Sequence, residues 1–309
     1  MTLLPFFRAL HIAATILIAG AFAFEALILR PAGRTAQPAM SDWLKRQCAW
    51  GIAVGLASWF GWVGAIAVAM SGLPATQALT PEVLGTVVGD TTFGHVWAIR
   101  LALLVVVAAM VLWPRRRFDQ LGAVHFAVVV ALVASLAWTG HALGTSRMHV
   151  WIDASHLLAA AAWLGMLPPL LGLVGLAIRQ PDPWRSLAVA SVRRFYLPGV
   201  VAVLVLAASG VANTSWMLGS VADLANTGYG RVLSMKVLLF ALMLVLATVN
   251  RFVIVPRVER SGHSAGALGS LYRSVLAELV LGAAVIAVVA WLGVTPPAGH
   301  AMDHMMEGM

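Results

Sequence analysis

Apolar residues run along this chain in long stretches, and short polar segments separate them. An apolar stretch of about eighteen residues or more with few charges is long enough to cross a bilayer as a helix. The pattern predicts about eight such helices, at residues 4–29, 47–71, 94–113, 121–142, 149–177, 194–218, 230–250 and 270–294. The predicted fold class is therefore all-α, a polytopic membrane bundle.

Domain organisation follows from the same pattern. We expect one transmembrane helical domain over residues 1–294 and a tail over residues 295–309. The first apolar run lacks a small-residue cleavage site, so it is expected to remain as the first helix.

Composition agrees with a membrane protein, since 61% of the residues are hydrophobic, only 10% are charged and the mean hydropathy is +0.90. The net charge of +8 does not indicate nucleic-acid binding, because the basic residues lie in short loops where they orient membrane helices. The single cysteine, Cys48, excludes a disulfide framework and a CxxC metal site.

The basic residues alternate from loop to loop. Lys and Arg occur in segments 30–46, 115–117, 179–194 and 251–273, whereas segments 72–92, 219–229 and 295–309 contain none. Basic loops stay on the cytoplasmic side of the inner membrane. The chain is therefore predicted to have both termini outside the cytoplasm (N-out/C-out).

A group of histidines is expected at the outer ends of these helices. His149, Asp153 and His156 follow one another at spacings of four and three, so they share one face of a helix. His141 precedes them across a short loop that folds back towards His149. His95 and His11 belong to the outer halves of two other predicted helices, and polar groups at such depth are costly and usually functional.

Neutral imidazoles from several helices can gather around a soft or borderline metal ion, with Asp153 as a neighbouring acceptor that orients one ring. The same histidines can instead ligate haem b, His11 or His95 against His141 or His156. The sequence contains no phosphate-binding loop, no HExxH motif and no serine or cysteine catalytic arrangement. We therefore expect no enzyme, unless haem makes the protein an oxidoreductase.

Further polar residues extend the candidate site. Glu25, Lys236 and Glu278 lie within predicted spans and are candidates for translocation or proton coupling. Arg100 is expected to pair with a carboxylate or a helix C-terminus. The tail combines imidazole and thioether groups, which suit copper capture, through His300, Met302, His304, Met305 and Met306.

Two blocks of the chain resemble the copper resistance protein D (CopD) family of bacterial inner-membrane proteins. The first is Gly140-His141-Ala together with Asp153-x-x-His156-Leu-Leu-Ala-Ala-x-x-Trp163-x-Gly165-x-Leu167. The second runs from Gly210 through Tyr229-Gly230-Arg231-x-Leu233-x-x-Lys236 to Asn250-Arg251 and Pro256. The opening Arg8-Ala-Leu-His11 also resembles the first helix of a distantly similar haem-associated membrane family.

The main resemblance implies a multi-pass inner-membrane protein that handles copper ions, in transport or in copper tolerance. It also implies a periplasmic copper-binding partner of the CopC type, besides contact with membrane lipid. Two alternatives stay open from the sequence: a haem b protein that uses the same histidines, and a copper sensor or scaffold that does not transport.

The charge alternation leads to a topology prediction. A reporter that is active only in the periplasm, fused after Met309, should be active, and a reporter active only in the cytoplasm should be silent. Strong cytoplasmic activity would reverse the orientation and would place the histidines on the cytoplasmic side.

Overall fold

The computed structural model describes residues 3–32, 38–113, 118–139, 146–261 and 264–296. Within these ranges the chain is helical and contains no β-strand. Its α-helices are, in chain order, α1 Leu3–Ala23, α2 Pro38–Ser71, α3 Ala75–Ala78, α4 Pro81–Gly89, α5 Thr92–Leu112, α6 Ala123–Ala134, α7 Arg147–Arg179, α8 Pro181–Met217, α9 Asp223–Asn226, α10 Gly228–Val249, α11 Val255–Arg260 and α12 Ala265–Leu292. A π-helical segment, Phe24–Leu29, extends α1, and another, Asn250–Ile254, joins α10 to α11.

Seven helices of the described chain are long and apolar enough to cross a membrane. They are Leu3–Leu29, Pro38–Ser71, Thr92–Leu112, Arg147–Arg179, Trp184–Met217, Gly228–Arg260 and Ala265–Leu292. The helix predicted at 121–142 corresponds to a shorter apolar stretch, Ala123–Thr139, in which α6 continues as a 3-10 helix. The all-α, polytopic fold class is confirmed.

Some predicted boundaries were wrong. Helices α2 and α8 begin at Pro38 and Pro181, well before the predicted starts at 47 and 194. The charged residues Lys45 and Arg193 marked these segments as loops, but a helix can continue beyond the apolar layer with its charges in water. Segment 72–92, predicted as a loop, contains the short helices α3 and α4.

Helices α1 and α7 form the centre of the bundle and are the most buried of the seven spans. They pack on each other, α1 packs also on α2 and α12, and α7 packs also on α8 and α12. Gly20 and Gly165 face each other where α1 and α7 cross, and a Cβ atom added to Gly20 would overlap the backbone of Gly165. Small residues at this point let two helices approach closely, as is common within membranes.

The outer faces of the peripheral helices carry large apolar side chains. Leu197 and Val201 of α8, and Leu238 and Val245 of α10, are all exposed on the chain's own surface. Such surfaces are unfavourable in water, but they match the hydrocarbon of a bilayer.

The helix crossing leads to a stability prediction. Gly20→Ala should lower the free energy of unfolding by about 1–3 kcal/mol, because the new Cβ meets backbone that cannot rotate away. The measurement is thermal unfolding in detergent, followed by tryptophan fluorescence. Gly266→Ala is the matched control, since a Cβ at Gly266 meets open space. Equal stability of the two variants would contradict the close α1–α7 contact.

Candidate functional site

Helices α1, α7, α8, α10 and α12 line most of a cavity of about 550 Å³, to which Trp62 of α2 and residues of α6 and its 3-10 extension also contribute. A smaller cavity of about 130 Å³ adjoins it. Most of the lining is apolar. The polar side chains lie towards the start of α1, α7 and α10 and the end of α8, so they converge at one end of the bundle. They include Arg8, His149, Asp153, His156, Asn213 and Lys236.

Helix α7 presents three of these side chains to the cavities. His149 and Asp153 line the smaller cavity, and Asp153 and His156 line the larger one. This arrangement agrees with the spacing of four and three residues along the helix. The ring of His149 is buried and stacks on Trp216 of α8, with ring centroids 4.6 Å apart.

Hydrogen bonds set the tautomer of His156. Nζ of Lys236 lies 3.4 Å from Nε2 of His156, and because an ammonium group only donates, Nε2 accepts. The proton of the neutral ring is then on Nδ1, which donates to Oγ of Ser209 at 2.8 Å. The Ser209 hydroxyl donates in turn to a backbone carbonyl of α8. His156 therefore has a defined orientation, with Nε2 facing Lys236.

Asp153 brings a negative charge to the same end of the cavity. Its Oδ1 accepts a hydrogen bond from Nδ2 of Asn213 at 3.1 Å. It also interacts electrostatically with Lys236 and Arg8, the two cations that line the cavity with it. Arg8 reaches across to α12, where its guanidinium donates to the Gly293 carbonyl at 2.8 Å. Two cations and one carboxylate therefore line the same cavity.

His11 occupies a separate, closed centre. Its Nε2 accepts from the Arg100 guanidinium at 2.9 Å, and its Nδ1 lies 3.1 Å from Oγ of Ser58. The His11 ring also packs against Trp62 and Trp97. Both ring nitrogens of His11 have hydrogen-bond partners, and the side chain is buried.

Arg100 is fully buried and is held by neutral groups. It donates to the Leu132 carbonyl at 2.9 Å and to the hydroxyls of Ser135 and Thr15. Leu132 and Ser135 lie at the C-terminal end of α6, which carries partial negative charge. The expected pairing of Arg100 with a helix C-terminus is confirmed.

The remaining predicted residues lie elsewhere. His95 is exposed at the start of α5, where its Nε2 lies 2.8 Å from the Gly89 carbonyl. Glu25 is buried in the π-helical segment and faces Arg30 at 3.5 Å. Glu278 is buried on α12, where its carboxylate accepts from Asn250.

Two parts of the predicted site lie outside the described residues: His141, and the tail with His300, Met302, His304, Met305 and Met306. Among the residues that the structure describes, no three His, Cys, Asp or Glu side chains form a group that could hold a metal ion. The structure brings Asp153, His156 and Lys236 together around one cavity and keeps His11 and His95 away from it. Copper ligation by these histidines stays a prediction.

Several contributors to the cavity were not predicted. Ser209 and Asn213 are the hydrogen-bond partners of His156 and Asp153, and Arg8 is a cavity residue as well as a group near the membrane surface. These polar residues lie within apolar runs of the sequence. That position could have indicated their contacts, since a polar side chain inside a span needs a partner.

Comparison with known proteins gives two family matches. Residues 1–148 match the family described as copper resistance protein D-like, N-terminal domain, and residues 189–292 match the family described as copper resistance protein D. No solved structure matches the chain.

Three relatives of known name are similar over most of this chain. Inner membrane protein YebZ of Escherichia coli (strain K12) is 31% identical over 226 residues, which is 72% of this chain and 74% of the relative. Copper resistance protein D of Pseudomonas syringae pv. tomato is 34% identical over 243 residues, 75% of this chain and 77% of the relative. Copper transport protein CutJ of Bacillus subtilis (strain 168) is 32% identical over 220 residues, 69% of this chain and 39% of the relative.

The closed centre around His11 leads to a stability prediction. Arg100→Ala should cost about 3 kcal/mol, because it removes hydrogen bonds from a charged donor and leaves their acceptors buried without it. The measurement is the unfolding temperature of the detergent-purified protein. The exposed Arg231 of α10 supplies the control, Arg231→Ala. If both variants unfold at the wild-type temperature, Arg100 does not hold the helices together.

Proposed function

The chain belongs to the copper resistance protein D family of multi-pass inner-membrane proteins, and we propose that it transports copper ions through the cavity between α1, α7, α8, α10 and α12. The observation that carries this proposal is the placement of Asp153 and His156 of α7 on the wall of that cavity, beside His149. Imidazole nitrogen is a suitable ligand for copper.

His149 and His156 are the proposed ligands among the described residues, with His141 joining them from the segment just before α7. The described contacts support Ser209, rather than Asp153, as the acceptor that orients the His156 ring. Asp153 then provides negative charge beside the cations Lys236 and Arg8. A copper ion at Nε2 of His156 takes the place of the Lys236 ammonium, and the long Lys236 side chain turns towards Asp153.

A route to the other side of the membrane begins at Trp163. This buried side chain of α7 lines the large cavity and also a second cavity of about 230 Å³, which contains Glu278 and Asn250. Trp163 packs edge-to-face against Phe240, with ring centroids 6.0 Å apart. Movement of Trp163 would connect the two cavities, and Glu278 would meet the ion on the inner side. Glu25 has an ion-pair partner and is a less direct participant.

The tail and a partner complete the proposal. The histidines and methionines of residues 300–306 collect copper at low concentration or receive it from a periplasmic copper-binding protein of the CopC type. With both termini outside, the tail and the polar end of the cavity lie on the periplasmic side. The family resemblance and the ligand chemistry of the tail support this part.

No observation favours the haem alternative. Nε2 of His11 accepts from Arg100, so this ring offers no open nitrogen to an iron atom. Two of the three relatives are named for copper resistance or copper transport.

Transport itself can be measured in liposomes that contain the purified protein and a copper-sensitive dye. Wild-type protein should carry external copper to the dye. His156→Ala should slow the flux about tenfold or more, because even the loss of a residue that only supports a metal ligand costs about 10–100-fold. His125→Ala, at the opposite end of the bundle, is the control. Equal flux for His156→Ala and wild type would contradict transport through this cavity.

Asp153→Asn tests the role of the carboxylate. Asparagine has nearly the same size as aspartate and keeps one side-chain carbonyl oxygen, but it carries no negative charge. The substitution should therefore weaken copper affinity about 10–100-fold. Titration of the purified protein with copper gives the affinity, and Asp90→Asn at the exposed end of α4 is the matched change elsewhere. Unchanged affinity would reduce Asp153 to a packing residue.

A further inference from the structure

The two halves of the chain repeat one another. The main helices follow in the order α1, α2, α5, α6 in the first half and α7, α8, α10, α12 in the second, with the short helices α3, α4, α9 and α11 between them. Residues 91–100 read TTFGHVWAIR and residues 227–236 read TGYGRVLSMK. In α1 a histidine precedes a glycine by nine positions, as His11 and Gly20, and in α7 the same spacing separates His156 and Gly165.

The repeated sequences adopt the same local structure. Thr91 caps α5 by accepting from the Gly94 amide at 2.9 Å, and Thr227 caps α10 by accepting from the Gly230 amide at 2.9 Å. A Cβ on Gly94 would overlap the backbone of α4, and a Cβ on Gly230 would overlap the backbone at α9. Each long helix therefore starts from a short helix packed against an equivalent glycine.

Equivalent residues also make equivalent contacts. Nε2 of His11 faces Arg100 at 2.9 Å, and Nε2 of His156 faces Lys236, which holds the same position in the second repeat, at 3.4 Å. A serine from the second helix of each half meets Nδ1 of the histidine, and these are Ser58 and Ser209. Gly20 and Gly165 contact each other. Equivalent residues touch in this way when they lie on a two-fold axis.

The halves differ in what fills the space beside the histidine. In the first half, Trp59 and Trp97 exchange hydrogen bonds between α2 and α5, and Trp62 packs on Trp97 with centroids 4.6 Å apart. The equivalent positions in the second half hold Gly210, Leu233 and Asn213. Helix α2 consequently packs on α5, whereas the large cavity lies between α8 and α10.

We infer that the chain is a duplicated four-helix unit whose second copy alone binds the ion, while the first copy is a sealed structural counterpart held by His11 and Arg100. The identification of this ion as copper rests on the proposed function. The residue types at positions 100 and 236 agree with a sealed first copy and an open second copy. Arginine carries several N–H donors in one rigid planar group, and both terminal nitrogens of Arg100 donate to groups of the protein. Lys236 instead has one flexible ammonium group beside a cavity.

Labelling of introduced cysteines by a water-soluble reagent tests, without copper, whether the first copy is sealed and the second is open. Val63 of α2 and Thr214 of α8 occupy equivalent positions, and Thr214 lines the cavity whereas Val63 is buried. In a background in which the buried Cys48 is replaced by Ala, a small water-soluble thiosulfonate should label Thr214→Cys in the native protein and leave Val63→Cys unlabelled. Equal labelling of the two cysteines, whether both react or neither does, would overturn the inference.

Copper binding supplies the second arm, with wild type measured alongside. His156→Gln should weaken copper affinity about tenfold or more, while His11→Gln should keep wild-type affinity and lower the unfolding temperature. Leu233→Trp, which copies the tryptophan of the first half, should also abolish binding by filling the cavity. If His11→Gln loses copper as completely as His156→Gln while remaining folded, the first copy is not a structural counterpart. A wild type that binds no copper refutes the proposed function, and the labelling result then decides by itself whether the first copy is sealed and the second is open.

Discussion

Helices α1 and α7 come into backbone contact at Gly20 and Gly165, at the centre of the bundle. With no side chain at either position, the two backbones meet, and the remaining helices pack around this pair. The contact also sets where the chemistry lies, because His11 and His156 each sit nine residues before a crossing glycine. His11 faces the α2–α5 side of the bundle, and His156 faces the cavity.

Charge inside a membrane must be compensated, and this protein does so in two ways. Carbonyl, hydroxyl and imidazole acceptors surround the two terminal nitrogens of Arg100, which is itself buried. Lys236, Arg8 and Asp153 compensate one another around an open space. The first arrangement stabilises helix packing, and the second leaves room for an ion to enter among the charges.

Much of the fold could be predicted from the sequence, because apolar runs reveal membrane helices directly and the spacing of His149, Asp153 and His156 reveals a shared face. The starts of α2 and α8 could not be predicted, because charged residues in water do not show whether a helix continues. The partner of His11 lies in α5, far along the chain, and helical spacing says nothing of which helices are neighbours. The repeat of residues 91–100 at 227–236 was a readable signal, and it relates His11 to His156 as equivalents rather than members of one cluster.

Copper bound at the open end of the cavity can be detected directly in the purified protein. Protein purified from cells supplied with both copper and haem should contain close to one copper ion per chain and only traces of iron, without an intense porphyrin band in the visible spectrum. The double variant His149→Ala, His156→Ala should lose the copper and remain folded. A porphyrin band with stoichiometric iron, abolished by His156→Ala, would contradict copper binding at this site and assign these histidines to haem.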